Sequence, residues 1–389
     1  MSNIKQVLSI LPFLNREGGK RESLALQDVM GEIFPGSREA ACMRHRLQAP
    51  SVPVGVTERG NTHVGHLMVC DAAHICPVCH GRKLAKDQRI VSRIVHDHYQ
   101  AGGILVDTGL TVPHHIHEPL SSVRKRLEAV WKRLLSKRIW KELTRTLGIV
   151  GFIRRLEITL GPNGWHPHYH VSFLCNPAHA TDIKGHSWKT ALDDAFSIVW
   201  GSWRQAGEDA GIAVAEQAQA AVAIIGHLDA QKAVSYNLKN MGYCRKPESL
   251  TPIDLLRVVA QINDAATVYY AKKLFTEYAK ATKGKHILSY GGTARAARRV
   301  AVEQAEEDCA ELVQERLGYV SPEAWRAIVK TGLRPVFTTT VKSRRELVAI
   351  VLRAALGTGH GNIPVGWMRL CFEAETKTVI SIKAPVPAS

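Results

Sequence analysis

Polar and apolar residues alternate in several stretches of the chain, and this pattern predicts β-strands. One stretch runs from Gly103 to His114 and contains a proline at its end. A second, Phe152–Leu160, is followed by the turn Gly161–Gly164 and another alternating run. Because successive strand side chains point to opposite faces, and short glycine-containing turns join neighbouring strands, these residues predict a β-hairpin. The apolar run Ala220–Ile225 predicts a further strand.

Helical periodicity, with apolar residues three or four positions apart, dominates much of the remaining chain. The helical segments are Leu120–Leu147, Trp188–Ala206, a helix beginning near Asp229, a helix capped by Ser321, and Leu347–Leu356. A short hairpin is expected within Ile363–Ile382. Long helices between strands, with a hairpin at the centre, predict an α+β fold in which an antiparallel sheet carries helices on one face.

The length of the chain and its charge distribution predict three consecutive parts. At 389 residues the chain exceeds one typical domain. We expect a cysteine-rich module with a basic helix over 1–100, a central domain over 101–298, and a mostly helical accessory region over 299–389. The formal net charge is +16, yet residues 300–389 hold 11 Lys and Arg against 10 Asp and Glu. A polyanionic partner is therefore expected to bind the first 299 residues.

The second strand of the predicted hairpin concentrates histidine. His168 and His170 are two residues apart, so they point to the same face, and His166 is a further candidate beside them. The hairpin would bring Glu157 against this strand, and imidazoles with a carboxylate can hold one divalent ion. The alternative is a set of ordinary surface or core histidines. Three histidines within five residues, opposite a carboxylate in an apolar hairpin, argue against it, because desolvated imidazoles need partners.

Four of the eight cysteines lie close together in the N-terminal part: Cys42, Cys70, Cys76 and Cys79. The last two form a Cys-x-x-Cys knuckle of the kind that wraps tetrahedral zinc. We predict a structural four-cysteine zinc site, with His45, His74 and His80 as substitutes for any cysteine that does not bind. A redox pair is the alternative, but no thioredoxin-like pattern surrounds the knuckle. The remaining cysteines, Cys175, Cys244, Cys309 and Cys371, are expected to be core residues.

A basic helix follows the knuckle. Its cationic face carries Arg82, Lys83, Lys86 and Arg89, with Arg93 one turn further on. Such a face can follow a phosphate backbone, although a single charged face of this kind is commonly only solvated. The zinc knuckle directly before it favours contact with nucleic acid.

A second chemical feature is the segment Lys232–Tyr243. Tyr236 and Lys239 are three residues apart and share a face of the predicted helix. A tyrosine phenol can attack a phosphodiester and retain the 5′ end as a phosphotyrosine ester, and Lys239 could steady the phosphate or lower the proton affinity of the phenol. Taken alone, Tyr236 would be an ordinary amphipathic core residue. The metal site and the basic chain favour the chemical interpretation, and Tyr243 is the second candidate.

Three motifs together resemble the rolling-circle plasmid replication initiators of the HUH endonuclease superfamily, in the class with one principal catalytic tyrosine. The first is Thr108-Gly-Leu-Thr111 with the following Val-Pro-His. The second, the most specific, is Asn163-Gly-Trp-His-Pro-His-Tyr-His170, and the third is Tyr236-Asn-Leu-Lys239. The upstream cysteines resemble a cluster that many members carry. The likeness covers about residues 40–295.

The resemblance implies a nuclease domain over 101–298 whose Glu157, His168 and His170 bind Mg²⁺ or Mn²⁺, with His166 nearby or on DNA. Tyr236 would nick single-stranded or supercoiled origin DNA, working with a host helicase and polymerase. Some relatives carry a glutamate one turn before the tyrosine, but here that position is Lys232. How a round of replication ends is therefore open, with Asp229, Tyr243 or a second subunit as candidates, and the oligomeric state is open as well.

Two other functions remain alternatives to replication initiation. The first is a relaxase or transposase of the same superfamily, although relaxases usually place the tyrosine before the metal motif. The second is a non-catalytic, zinc-dependent DNA-binding regulator, in which the histidines would be structural. The N-terminal apolar run Val7–Leu14 is short and interrupted by Pro12. It has neither the length of a membrane span nor a cleavage site, so we expect a cytoplasmic protein with no membrane contact.

Overall fold

The computed structural model describes residues 3–15, 18–180, 188–214, 223–225, 248–309 and 313–371. The helices, in chain order, are α1 (Asn3–Leu8), α2 (Lys20–Ile33), α3 (Arg38–Ala41), α4 (Pro77–Gln100), α5 (Leu120–Leu134), α6 (Lys137–Leu147), α7 (Trp188–Asp193), α8 (Ala195–Asp209), α9 (Pro252–Gln261), α10 (Ala265–Thr282), α11 (Thr293–Cys309), α12 (Pro322–Lys330), α13 (Arg334–Thr340) and α14 (Arg344–Gly357). Short 3₁₀ helices lie at Leu11–Phe13 and Pro177–His179.

The strands are β1 (Val52–Thr57), β2 (Thr62–Val64), β3 (Ile104–Leu110), β4 (Ile149–Gly161), β5 (Gly164–Cys175), β6 (Ala223–Ile225), β7 (Leu288–Gly292), β8 (Val313–Val320) and β9 (Met368–Leu370). They form two sheets in the described part of the chain, and every strand pair in both sheets is antiparallel. The α+β class predicted from the sequence is confirmed.

The chain divides into two compact units, and each is made from two separate stretches of sequence. Unit 1 comprises Met1–Arg16 and Arg82–Glu307, and unit 2 comprises Glu17–Gly81 and Asp308–Ser389. This division differs from the three consecutive parts expected from the sequence. The cysteine-rich segment and the C-terminal region belong to one unit, whereas the basic residues that follow the knuckle belong to the other.

The sheet of unit 1 has five strands in the order β6-β3-β5-β4-β7. The long hairpin β4–β5 occupies its centre, as predicted, and its strands are joined by Pro162 and Asn163. Gly164 opens β5 with a φ of +92°, and a Cβ there would come within 2.9 Å of the Ile116 Cα. Only glycine meets both demands, so the turn sequence fixes where the hairpin reverses.

Helices cover one face of this sheet. Apolar strand residues such as Tyr169, Val171 and Phe173 pack in one buried cluster with side chains of α5, α6 and α8, including Trp131 and Trp203. Each fully buried aliphatic or aromatic side chain of this size contributes about 1.5–3 kcal/mol relative to exposure. Because strand side chains alternate, the neighbouring residues of β4 and β5 are directed to the opposite face.

Two predicted long helices of unit 1 are each a pair of shorter ones. The segment Leu120–Leu147 is interrupted after Leu134 and resumes at Lys137, and Ser136 adopts the extended N-cap conformation between them. The segment Trp188–Ala206 is interrupted between α7 and α8. In α5 and α6 the apolar stripe remains continuous across the break, since Leu134 and Ile139 join the same core. Periodicity alone therefore could not locate the break.

The sheet of unit 2 joins the two ends of the chain, in the order β2-β1-β8-β9. Val52 of β1 pairs with Val320 of β8. Helices α12, α13 and α14 contribute to its core around Trp325, Phe337 and Val351. The C-terminal region is helical, as expected, but its strands complete a sheet begun at the N-terminal side.

Individual C-terminal predictions have different outcomes. The Ser321 side chain accepts a hydrogen bond from the Ala324 N–H and caps α12, which confirms the predicted helix start. The predicted helix Leu347–Leu356 lies within α14. Of the expected hairpin over Ile363–Ile382, only β9 is described, and it pairs with β8; residues from 372 onward lie outside the described residues.

Candidate metal centres

The register of the β4–β5 hairpin brings together the three predicted metal ligands. Glu157 pairs directly with His168, and Arg155 pairs with His170. Partners in an antiparallel pair share a face, so the carboxylate and both imidazoles lie on the face opposite the α5–α8 core. The Glu157 Oε2 atom is 2.8 Å from His170 Nε2 and 3.5 Å from His168 Nε2, and the two Nε2 atoms are 3.1 Å apart.

These distances fit one divalent cation. Two donor atoms at about 2.1 Å from an ion and at right angles to each other are about 3.0 Å apart. The three measured separations lie close to that value, so all three donor atoms can contact the same ion. The side chains are 13%, 16% and 21% exposed for Glu157, His168 and His170, so the site is largely buried but keeps some contact with solvent. A donor set of two imidazoles and a carboxylate suits Mn²⁺ or Mg²⁺ and leaves positions for further oxygen ligands.

Neighbouring groups orient this set. His168 Nδ1 lies 3.2 Å from the His166 carbonyl oxygen, and a proton on Nδ1 donated to that carbonyl leaves the Nε2 lone pair directed at the site. Burial acts to raise the pKa of the Glu157 carboxyl. The adjacent imidazoles of His168 and His170 and the Arg155 guanidinium outweigh it and hold that pKa below its usual range. Glu157 is therefore a carboxylate, the form that binds a cation.

Two residues of this region were not identified from the sequence. The buried Arg155 guanidinium lies 3.5 Å from Glu157 Oε2. The imidazole of His114 lies 5.0 Å from that of His166, which in turn lies 4.8 Å from that of His168. Arg155 is two residues before Glu157 on one strand, so alternation could have placed it on the metal face. The position of His114 depends on a loop conformation that no short pattern encodes.

The predicted tyrosine motif lies in a part of the chain that the structure does not describe. Asp229, Tyr236, Lys239 and Tyr243 lie outside the described residues. Their proximity to the metal ligands is a prediction from sequence, and so is every role assigned to them.

The four predicted cysteines converge in unit 2. Their sulfur atoms all lie within 4.8 Å of one another, and all four residues are buried. Cys79 Sγ is 3.6 Å from Cys42 Sγ and 3.4 Å from Cys70 Sγ, too far for a disulfide bond of about 2.05 Å. Thiolates bound at about 2.3 Å in a tetrahedron are roughly 3.8 Å apart, so the cluster fits zinc.

The backbone at the two isolated cysteines has an unusual conformation. Met43 and Asp71, which directly follow Cys42 and Cys70, adopt φ values of 54° and 56°. Left-handed backbone is uncommon for such residues and persists where surrounding structure requires it. Of the proposed histidine substitutes, His80 contacts the Ala73 carbonyl through Nδ1. Within the described residues the convergent group contains only the four cysteines.

We expect purified protein to contain about one zinc ion per chain, and the double variant Cys76→Ser, Cys79→Ser to lose it, because a hydroxyl is a poor zinc ligand beside thiolates. Metal analysis by mass spectrometry after dialysis measures this directly. Cys371→Ser is the matched control, since Cys371 is outside the cluster. Folded parent protein without zinc would contradict the assignment.

The basic residues after the knuckle lie on α4. Arg82 is exposed and Lys86 and Arg89 are partly exposed, whereas Lys83 forms an ion pair with the buried Asp87. Burial raises the pKa of the Asp87 carboxyl, while the charges of Lys83, Arg298 and Lys86 act in the opposite direction. Lys83 and Lys86 of α4 and Arg298 of α11 therefore all lie near the Asp87 carboxyl. No helix in the described ranges combines the length and hydropathy that crossing a membrane requires.

Comparison with known proteins gives a family match that covers the hairpin. Residues 64–201 match the family model of the Rep_1 replication proteins. The Neomycin resistance protein of Streptomyces cyanogenus is 25% identical over 169 aligned residues, which cover 36% of this chain and 39% of that protein. The chain thus spans less than half the length of this curated relative. No solved structure matches. The resemblance to replication initiators is confirmed over residues 64–201, the segment that contains the histidine pair.

Proposed function

We propose that this protein initiates rolling-circle replication of a plasmid by nicking one strand of its origin and joining the 5′ end to Tyr236. The observation that supports this most directly is the convergence of Glu157, His168 and His170 on one face of the central hairpin. Two imidazole nitrogens and a carboxylate directed at one point form a donor set suited to a divalent ion. Here the Nε2 atoms of both histidines approach one carboxylate oxygen.

The proposed reaction is a transesterification at phosphorus. The Tyr236 phenolic oxygen attacks the scissile phosphate, forming an O–P bond, while the bond from phosphorus to the 3′ oxygen breaks. The phenol loses its proton to a base, and the departing 3′ oxygen takes up a proton as a hydroxyl. The number of phosphate ester bonds is unchanged, so the bond energy is conserved and the same residue can later rejoin strands. Lys239 is proposed to neutralise a nonbridging oxygen.

The hairpin residues have separable roles in this scheme. Glu157, His168 and His170 would hold a divalent ion, which when bound would supply Lewis-acid neutralisation of charge on the phosphate. The His166 carbonyl keeps the His168 ring oriented. The buried Arg155 lies beside Glu157 and supports its anionic form. All four side chains extend from paired strands, and rigid elements of this kind position reactive groups better than loops do.

We further propose that Arg82, Lys83, Lys86 and Arg89 contact the DNA backbone. The support is the net charge of +16 and the grouping of Lys83, Lys86 and Arg298 around Asp87. Lys83 is the weakest of the four, because its charge is already paired with Asp87. Such contacts set affinity and register on DNA, not base specificity. We also propose that the four cysteines bind a structural zinc ion and that a host helicase and polymerase act with the protein. Its proposed location is the cytoplasm.

End-labelled single-stranded origin DNA tests the proposal. With Mn²⁺ present, a 3′-labelled strand should become linked to protein, while a 5′-labelled strand should yield a shorter product with a free 3′ hydroxyl. Peptide mapping should place the adduct on Tyr236. A non-catalytic regulator would produce no adduct, which would contradict the proposal. A relaxase or transposase would produce one, but a plasmid deprived of this gene would still replicate.

A further inference from the structure

A buried arginine of the C-terminal region lies beside the cysteine cluster of unit 2. Arg334 is the first residue of α13, and only 2% of its side chain is exposed. Lysine and arginine are almost never this deeply buried without ionic partners. The sequence gives no hint of the cause, because Arg334 follows the nearest cluster residue, Cys79, by more than 250 positions.

The guanidinium contacts backbone and side chains around the first cysteine. One nitrogen lies 3.3 Å from the Cys42 carbonyl oxygen, and the other donates to the Leu24 carbonyl at 2.8 Å. The same two nitrogens also bond the Gln27 side-chain oxygen and the Asp28 carboxylate. Gln27 in turn donates to the Cys42 carbonyl at 2.6 Å. The side chains of Arg334 and Gln27 thus both contact the Cys42 carbonyl oxygen, directly before Met43.

The charge balance of the cluster explains why a cation belongs here. Four thiolates around Zn²⁺ carry a net charge of −2, and a buried anion is costly without a counter-charge. A guanidinium keeps its proton throughout the neutral pH range, so the Arg334 side chain brings a positive charge to the cluster. The Asp28 carboxylate does not fully neutralise the positive charge of Arg334, because it also forms an ion pair with Arg44.

We propose that Arg334 is a positioning residue of the zinc site, which holds the Cys42 segment in its binding conformation and offsets the charge of the zinc–thiolate centre. The C-terminal region would then be part of the metal site without supplying a ligand. The proposal rests on zinc binding by the cysteines and is independent of the nicking chemistry. Partners of metal ligands commonly change affinity 10- to 100-fold when removed.

Zinc affinity tests this role. Competition with a chromophoric chelator should show weaker binding by about 10- to 100-fold in Arg334→Met. Arg334→Lys keeps the charge but loses the planar fork, so its affinity should fall between Arg334→Met and the parent. Arg326→Met is the matched control: Arg326 lies in the same unit with 73% of its side chain exposed, and its affinity should be unchanged.

Thermal unfolding with and without zinc separates positioning from general stabilisation. In Arg334→Met the increase in Tm caused by zinc should shrink, whereas a merely structural role would lower both Tm values equally. If Arg334→Met does not fold, Arg334→Lys carries the test with the same two measurements. Parent-like zinc affinity in the variant that folds would overturn the proposal, and so would absence of zinc from the parent protein.

Discussion

Tyr236→Phe should abolish covalent capture of origin DNA and reduce nicking by on the order of 10⁴-fold or more, the scale seen when a nucleophile is removed. The phenyl ring has no oxygen to form the phosphate ester, so no adduct can accumulate. DNA affinity should change by about tenfold at most, because the hydrogen bond of one hydroxyl contributes about 0.5–1.5 kcal/mol. Gel-based nicking and fluorescence anisotropy with the same oligonucleotide measure the two quantities.

Tyr243→Phe is the matched control for this variant. It makes the same change seven residues later, and the first nicking event should proceed at the parental rate. If Tyr243 instead serves in a second cleavage, its variant should nick normally but fail to release closed product. Normal nicking by Tyr236→Phe, or its loss only in Tyr243→Phe, would contradict the assignment of the nucleophile.

Replacing both His168 and His170 by alanine should remove metal-dependent cleavage. Two of the three donors would be lost, leaving Glu157 alone, and loss of ligands should cost more than the 10- to 100-fold typical of their outer partners. Mn²⁺ binding, measured by titration calorimetry in the absence of DNA, should disappear together with nicking. DNA binding in EDTA should persist, since the open metal face is not required for backbone contacts.

The loop before α5 offers a control that matches this double change. His115 and His117 are exposed and also two residues apart. Alanine at both should leave Mn²⁺ binding and cleavage at parental levels, which separates loss of metal ligands from loss of histidine in general. Nicking that survives in the His168→Ala, His170→Ala protein, with its fold verified by circular dichroism, would remove the basis of the proposed chemistry.

The local parts of the site could be predicted from the sequence, because short-range geometry determines them. Strand alternation and the Gly161–Gly164 turn together specify which residues face Glu157 across the hairpin, and the observed pairing of Glu157 with His168 follows. The Cys-x-x-Cys spacing likewise places Cys76 and Cys79 within reach of one ion, and the structure brings both together with the other two cysteines.

The remaining features depend on contacts between distant parts of the chain. Nothing near Val52 specifies Val320 as its strand partner, and nothing near Cys42 specifies Arg334. The end of α5 could not be predicted for a different reason. The apolar stripe continues into α6, so the periodicity of the sequence is unchanged at the point where the helix is interrupted. Arg155, by contrast, lies on the same strand face as Glu157, and strand alternation alone is sufficient to predict that position.

The nested order of the two units has a consequence for synthesis. Strand β1 and the first cysteines leave the ribosome early, but β8 and Arg334 follow only after the whole second stretch of unit 1. At about 5–20 residues per second, this interval lasts on the order of 10 s to a minute. A nascent chain therefore carries exposed thiols and an unpaired strand edge while its histidine hairpin can already close. Premature termination before β8 leaves β1 without this strand partner and the first cysteines without Arg334.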